Sequence, residues 1–318
     1  MKNLKKVGLT ALAASLATVS VNAGELSVSG GASIGWTSKE HNNSSGWYMN
    51  DKIVFTGSGT LDNGLGFEMN LSIDESDVAS DQAASGRTFE GRSIKLTSDT
   101  LGSLTFQGKD GTGVTGAYDD KMPTVYEETW TYATANSDGP NTADSFYYSN
   151  AVAVDGVQFD VSYTPGGSET SQNSGTLEYG VVVTAIEGLT IGAAMGEDQS
   201  ARDSEVDNTI LYATYAMGPV TVGYQVNDHD STINGDDEDF TAAAITYAVS
   251  EDLTIMAATS TVDSADKVKD QEIDSFGIGY SMGSMSIALQ TFDVDNNAGS
   301  SAAKDSYRVN ELNISFAF

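Results

Sequence analysis

The sequence predicts an all-β chain closed into a transmembrane antiparallel β-barrel of about 16 strands. Three observations point there. Short segments alternating apolar and polar residues recur from residue 25 onward, long and short connections take turns between them, and the chain stops inside a strand. That last segment, Leu312-Asn313-Ile314-Ser315-Phe316-Ala317-Phe318, places Leu312, Ile314, Phe316 and Phe318 on one face and Asn313, Ser315 and Ala317 on the other. One face should meet an apolar medium and the other water.

Ahead of the strands, Lys2, Lys5 and Lys6 precede a mostly apolar run from Val7 to Val21, too short to span a bilayer, and Val21-Asn22-Ala23 supplies small residues for cleavage. We therefore expect a secretory signal over 1–23, cut after Ala23, and a barrel over 24–318. No later stretch approaches the roughly 18 consecutive apolar residues of a membrane helix. A barrel needs apolar residues only at alternate positions, so low hydropathy does not argue against it. The chain has 15 basic against 45 acidic side chains, a formal charge of −30 that deepens once the three leading lysines are removed. Nucleic acid is excluded as a partner, because phosphate binding needs basic residues. Without cysteine there is no disulfide framework and no thiol chemistry.

Taken in order, the first strand lies near Leu26 to Ile34. The third alternates Leu65, Phe67, Met69, Leu71 and Ile73 against Gly66, Glu68, Asn70, Ser72 and Asp74. Further on, Val157, Phe159, Val161 and Tyr163 alternate with Gln158, Asp160, Ser162 and Thr164. Val220 to Val226 and Phe276 to Met282 follow the same pattern, while Thr241 to Val249 is mixed, with Ala242 and Ala244 read as small outward residues. Seven short connections rich in Gly, Asp and Asn suit tight turns: near Asp62-Asn63-Gly64, Asp99 to Gly102, Asp155-Gly156, Glu187-Gly188, Gly218-Pro219, Ser250-Glu251-Asp252 and Gly283-Ser284. Eight longer polar stretches separate them, at about 38–46, 75–91, 110–143, 165–175, 197–206, 228–238, 263–271 and 294–305. Fifteen connections join sixteen strands.

Sorting connections by length to two ends is what a membrane barrel does. Closure is required because every backbone N–H and C=O in lipid must be paired. About 16 strands leave an aqueous channel, where about eight would be filled by their own side chains. The positions predicted to face inward, Glu68, Asn70, Ser72, Asp74, Gln158, Asp160 and Ser162, suit water. If Ile53 and Phe55 face lipid, Lys52 faces inward. The same parity, with Ile94 and Leu96, or Leu104 and Phe106, outside, puts Lys95 and Lys109 inward and Arg92 at the rim. A charge on the lipid face near the midplane costs about 2 to 4 kcal/mol.

The segments Lys52-Ile53-Val54-Phe55-Thr56-Gly57 and Leu101-Gly102-Ser103-Leu104-Thr105-Phe106-Gln107-Gly108-Lys109, followed by a long stretch holding Asp119-Asp120-Lys121-Met122-Pro123 and Glu127-Glu128, resemble the general diffusion porins of Gram-negative outer membranes. The resemblance implies a trimeric sixteen-stranded barrel in the outer membrane, passing small hydrophilic solutes and ions, with outer-membrane lipid around it. It also implies that the long third loop folds into the lumen and narrows it. Asp119, Asp120, Glu127 and Glu128 would then form the acidic side of a constriction and Lys52, Lys95 and Lys109 the basic side, with Glu68, Asn70, Ser72, Asp74 and Tyr147 lining the lumen. Phe318 matches the C-terminal aromatic that the barrel-assembly machinery reads in that family. Between Met122 and Ala201 there is no Lys or Arg, so Ser145, Tyr147 and Ser149 stand where a sixth strand in many relatives supplies arginines. A thinner basic wall facing more acids predicts a channel that prefers cations.

Two other readings compete. Tyr126, Trp130 and Tyr132 could form a stacking track for a sugar, making a substrate-selective channel, and the acidic, cysteine-free composition also suits a secreted β-rich adhesin. Catalysis finds no support: His41 and His229 both fall in predicted loops, and no nucleophile-elbow, zinc-protease, Walker or Rossmann pattern is present. No cofactor is expected and no metal site is assigned. Asn227-Asp228-His229-Asp230 and Asn234 to Asp239 offer hard oxygen ligands for loop-bound Ca²⁺, but lack the spacing of an EF-hand.

Overall fold

In the computed structural model the alternating segments pair into one closed antiparallel sheet. The structure describes residues 24–318 apart from 42–44, 75–90, 110, 134–140, 143, 167–174, 202–203, 233–236, 266 and 303–304. The signal segment expected over 1–23 lies outside the described residues.

The barrel strands are β1 (Glu25–Lys39), β2 (Gly46–Thr60), β3 (Gly66–Asp74), β4 (Arg92–Ser98), β5 (Gly102–Lys109), β6 (Ser145–Val154), β7 (Val157–Pro165) and β8 (Gly175–Ile186). They continue as β9 (Leu189–Ala201), β10 (Ser204–Met217), β11 (Val220–Ser231), β12 (Glu238–Ala248), β13 (Leu253–Ser264), β14 (Gln271–Met282), β15 (Met285–Asp295) and β16 (Tyr307–Ala317). Each is hydrogen-bonded to its sequence neighbours, and β1 closes the ring on β16. The closure register runs from Gly31 opposite Ala317 to Lys39 opposite Val309. Beyond it, Phe318 donates its N–H to the Gly30 carbonyl at 2.9 Å and accepts from the Gly30 N–H at 3.1 Å. The final residue thus belongs to the ladder. Turns such as Asp155-Gly156 and Glu187-Gly188 reverse the chain within two residues because glycine takes positive φ, 69° at Gly156 and 77° at Gly188.

On the outside stand Phe159, Tyr163, Leu177, Tyr179, Phe276 and Leu289, all exposed. On the inside, strand residues of the opposite parity are polar near the short turns. Toward the long connections the pattern inverts. On β15, Gln290, Phe292 and Val294 are buried while Leu289, Asp293 and Asp295 are exposed, so apolar residues move to the inner face where the outer face becomes acidic. The same change places Ile210, Phe240, Val262, Ile273 and Val309 inside, all nearly or fully buried.

The structure corrects several sequence expectations. β9 and β10 run on to Ala201 and from Ser204, so the connection read as 197–206 is two residues long, and the sorting of connections by length fails there. Cross-strand pairing outweighed the polar composition. Ala242 and Ala244 face inward, not outward: they are buried in one apolar cluster with Phe240 while Ile245 and Tyr247 are exposed. Three consecutive alanines carry no polar contrast from which parity can be read. His229 sits in β11, its Nδ1 2.8 Å from Asn208 Oδ1, not in a loop. Asp160 and Ser162 have the expected inward parity but are buried rather than wet.

Candidate functional site: the third connection and the wall beneath it

The third long connection leaves β5 through a two-residue ladder, Gly111–Thr112 paired with Asn141–Thr142. Gln107 pins its start, accepting from the Thr112 N–H at 2.6 Å and donating to the Thr112 carbonyl at 3.2 Å. A short helix, α1 (Val114–Asp119), and a 3₁₀ turn at Thr129–Tyr132 follow. Both pack on the wall face opposite the exposed aromatics. Val114, Thr115 and Tyr118 are almost fully buried, and Tyr118 donates to Asp160 Oδ2 at 2.7 Å. Val114 donates its N–H to Ser162 Oγ at 2.9 Å and to Glu178 Oε2 at 2.6 Å. Further along, the Glu127 backbone exchanges two hydrogen bonds with the Gln290 side chain, at 3.0 and 2.8 Å. Thr129 Oγ1 lies 3.1 Å from Ser275 Oγ, Tyr132 donates to Glu311, and the Tyr126 hydroxyl joins Asn313 at 3.0 Å and Tyr48 at 3.2 Å.

Apolar packing reinforces these bonds. Val114, Tyr118 and Met122 form a cluster with Ile210, Tyr212, Phe240 and Ala242, and Trp130 packs edge-on against Phe240 with ring centroids 5.3 Å apart. Tyr132 meets Phe292 similarly at 5.0 Å. Close approach requires bare backbone on the wall. A methyl at Gly180 would lie 2.5 Å from Val114 Cγ1, and one at Gly277 2.5 Å from Val125 Cγ2.

The four acidic residues of this connection are placed differently. Asp119 is buried, accepting from the Gln225 and Asn227 side-chain amides, so it ties the helix to β11. Asp120 is exposed, while Glu127 and Glu128 are half-buried. Burial pushes the Glu128 carboxyl above the usual carboxylate range, and the nearby Asp120 and Glu127 push it further against an opposing backbone hydrogen bond. Burial, then the Asp160 carboxylate, likewise raises the Tyr118 hydroxyl, which stays protonated as a donor.

Across the barrel, Lys52 pairs with Asp74 at 3.4 Å on β2 and β3. Thr56 donates to Asn70 at 2.7 Å and Asn70 to Glu68 at 2.8 Å, while Ser72 accepts from the Gly91 N–H at 2.9 Å. Lys95 is half-buried on β4, between Glu68 and Thr105 in the two registers. Lys52, Asn70, Ser72, Arg92, Thr105 and Gln107 line one depression in this sector. Arg92 stands at a register irregularity opposite Lys109, its Nη2 3.5 Å from the Gly108 carbonyl. The Lys109 side chain lies outside the described residues. Tyr147 on β6 packs against the α1 cluster. The sequence offered no signal for Glu178, Gln225, Asn227, Gln290 and Glu311 as partners of the connection, since they lie between 63 and 179 residues from the groups they bond and meet them only through closure. Among the described residues no group of three or more His, Cys, Asp or Glu is arranged to hold a metal ion, and part of the Asn234 to Asp239 segment lies outside them.

The family described as Gram-negative porin matches residues 8–282. The chain belongs to the Gram-negative porin family. Its cell compartment is accordingly the outer membrane. Solved structures similar to this porin include the trimer form of in-vitro folded OmpT, an outer membrane protein of Vibrio cholerae, with 14% identity, a TM-score of 0.69, and coverage of 93% of this chain and 100% of that one. An anion-selective porin from Comamonas acidovorans gives 14%, 0.70, 92% and 99%, and a five-substitution variant of Rh. blastica porin gives 15%, 0.68, 92% and 100%. At such identities the likeness is one of fold. No curated protein matches the sequence.

Proposed function

We propose that this porin is a passive, cation-preferring channel for small hydrophilic solutes, narrowed by its third connection lying within the lumen. The observation that carries the reading is the attachment of that connection to the polar wall face from β7 round to β16, with Asp120, Glu127 and Glu128 left on its less buried edge. The passage then runs between this acidic edge and the sector holding Lys52 and Lys95, where a transverse field would filter ions by charge. Lys52 is already partnered by Asp74, which leaves the balance acidic. Selectivity does not follow from fold relatives, one of which is anion-selective, but from this chain's own charges. A sugar-stacking track gains no support, because Trp130 packs on Phe240 and Tyr126 and Tyr132 spend their hydroxyls on the wall.

Planar-bilayer recordings across a salt gradient test the proposal. A reversal potential of cation-selective sign is expected, with insertions in groups of three if the porin is a homotrimer. Clear anion selectivity would sink the reading.

Phe318 carries a separate expectation as the signal for the assembly machinery. Deleting it removes the Gly30 hydrogen bonds that seal the end of the seam. The yield of heat-modifiable barrel in the outer membrane should fall well before the conductance of the barrels that do assemble changes. Normal yield would refute that role.

A further inference from the structure

Glu178 is a carboxylate on the β8 wall that is 1% exposed, and no solute in the passage would touch it. Its two oxygens receive the Val114 N–H, the Thr115 hydroxyl and the Ser162 hydroxyl. Two of these donors belong to the first residues of α1, where a helix leaves backbone N–H groups without internal partners. The residue before the helix, Gly113, offers no side-chain cap. A wall residue 64 positions away does the capping instead. The backbone leaves room for it on both sides: a methyl at Gly113 would lie 1.8 Å from Glu178 Oε2, and one at Gly196 2.5 Å from its Cγ. Gly113 has φ −75° and ψ −179°, an extended conformation open to any residue, so the Glu178 carboxylate itself is what demands glycine there.

Resting on the channel reading above, we propose that Glu178 is the positioning residue of the constriction: it clamps the start of the third connection to the wall and thereby fixes the bore and selectivity without meeting the solute. Three donors converge on it; an apolar side chain would leave the Thr115 and Ser162 hydroxyls without this acceptor, with the Val114 N–H kept only by Ser162 Oγ, and an amide would offer the three donors one oxygen in place of two. Such a loss is large enough to redistribute a loop between attached and displaced positions by roughly 10- to 100-fold.

The test is single-channel recording of the purified full-length porin beside E178Q, E178L, E178A, G113A and the double variant G113A/E178A, each first shown to form a heat-modifiable barrel. Wild type should hold a steady open level. E178Q and E178L should spend roughly 10- to 100-fold more time in flickering or altered levels, with a shifted cation-to-anion permeability ratio. G113A should reproduce this from the loop side, with the wall intact, and the double variant should be no worse than E178A because the steric partner is gone. Variant pores indistinguishable from wild type, or fully additive effects in the double variant, overturn the assignment. If the Glu178 variants do not assemble, G113A decides alone, and wild-type recordings from it overturn the assignment. A wild-type protein that forms no pores at all would overturn the channel reading with it.

Discussion

Replacing Asp120, Glu127 and Glu128 together by their amides should lower the cation-to-anion permeability ratio by about five-fold or more. A carboxylate some 6 Å from a passing monovalent ion contributes about 0.7 kcal/mol at the dielectric of water, and salt screens it over about 8 Å at physiological ionic strength. Three such charges give about 2 kcal/mol before screening and about 1 kcal/mol after it, which is roughly five-fold for a cation. Asp119→Asn should shift the ratio much less, because Asp119 is buried against Gln225 and Asn227. Acidification should act in the same direction as the triple variant. Glu128 is raised by burial and by its acidic neighbours, so on lowering pH from neutral it takes up a proton before an ordinary glutamate would. The upper part of the pH-selectivity curve should therefore vanish in E128Q. For stability, a raised carboxyl costs least when protonated: its contribution is present at low pH and lost as pH rises through the raised value, so E128Q should hold or slightly increase the unfolding temperature at neutral pH. Reversal potentials measured for the four proteins between neutral and acidic pH decide the matter, and an unchanged ratio in the triple variant would remove these acids from the constriction.

Much of the barrel was legible in the chain. The alternation in β3, β7 and β14, the Asp-Gly and Glu-Gly turns, and a last segment that had to pair with the first all survive as ladder and register. What misled was the assumption that one face stays apolar and the other polar along a whole strand. That assumption holds only where lipid lies outside and water inside. Past Leu289 on β15, the third connection packs on one face through Tyr132 and Glu127, so Phe292 and Val294 are buried there while Asp293 on the other face is exposed. A segment read as a loop because it is acidic can thus be the upper part of a strand, as at β9, β10 and β11. Of the candidate site residues, the strand lysines were read from parity and the acids only as members of a long connection. Their partners were not legible, because Glu178, Gln290 and Glu311 meet the connection only once the strands that carry them are paired into the sheet.

The inner apolar packing makes the largest prediction for stability. Phe240→Ala should cost about 3 to 5 kcal/mol, since Phe240 is 1% exposed and bears the edge-on contact with Trp130. Such a loss in a soluble core would unfold the domain, whereas here the sixteen-stranded ladder does not depend on this ring. The effect should fall on the third connection. Trp130 fluorescence should shift toward that of a solvated indole at lower denaturant, while heat-modifiable migration of the barrel is kept. Ala242 sharpens the test because its neighbour provides a control. Ala242→Leu pushes a larger side chain into the filled space beneath α1 and should cost about 1 to 3 kcal/mol, whereas Ala243→Leu, on the outer parity of Ile245, should be close to neutral. Equal effects at the two positions, or an unmoved Trp130 signal in Phe240→Ala, would mean that the connection is not held by this cluster, and that the hydrogen bonds at Glu178, Gln290 and Glu311 suffice to hold it alone.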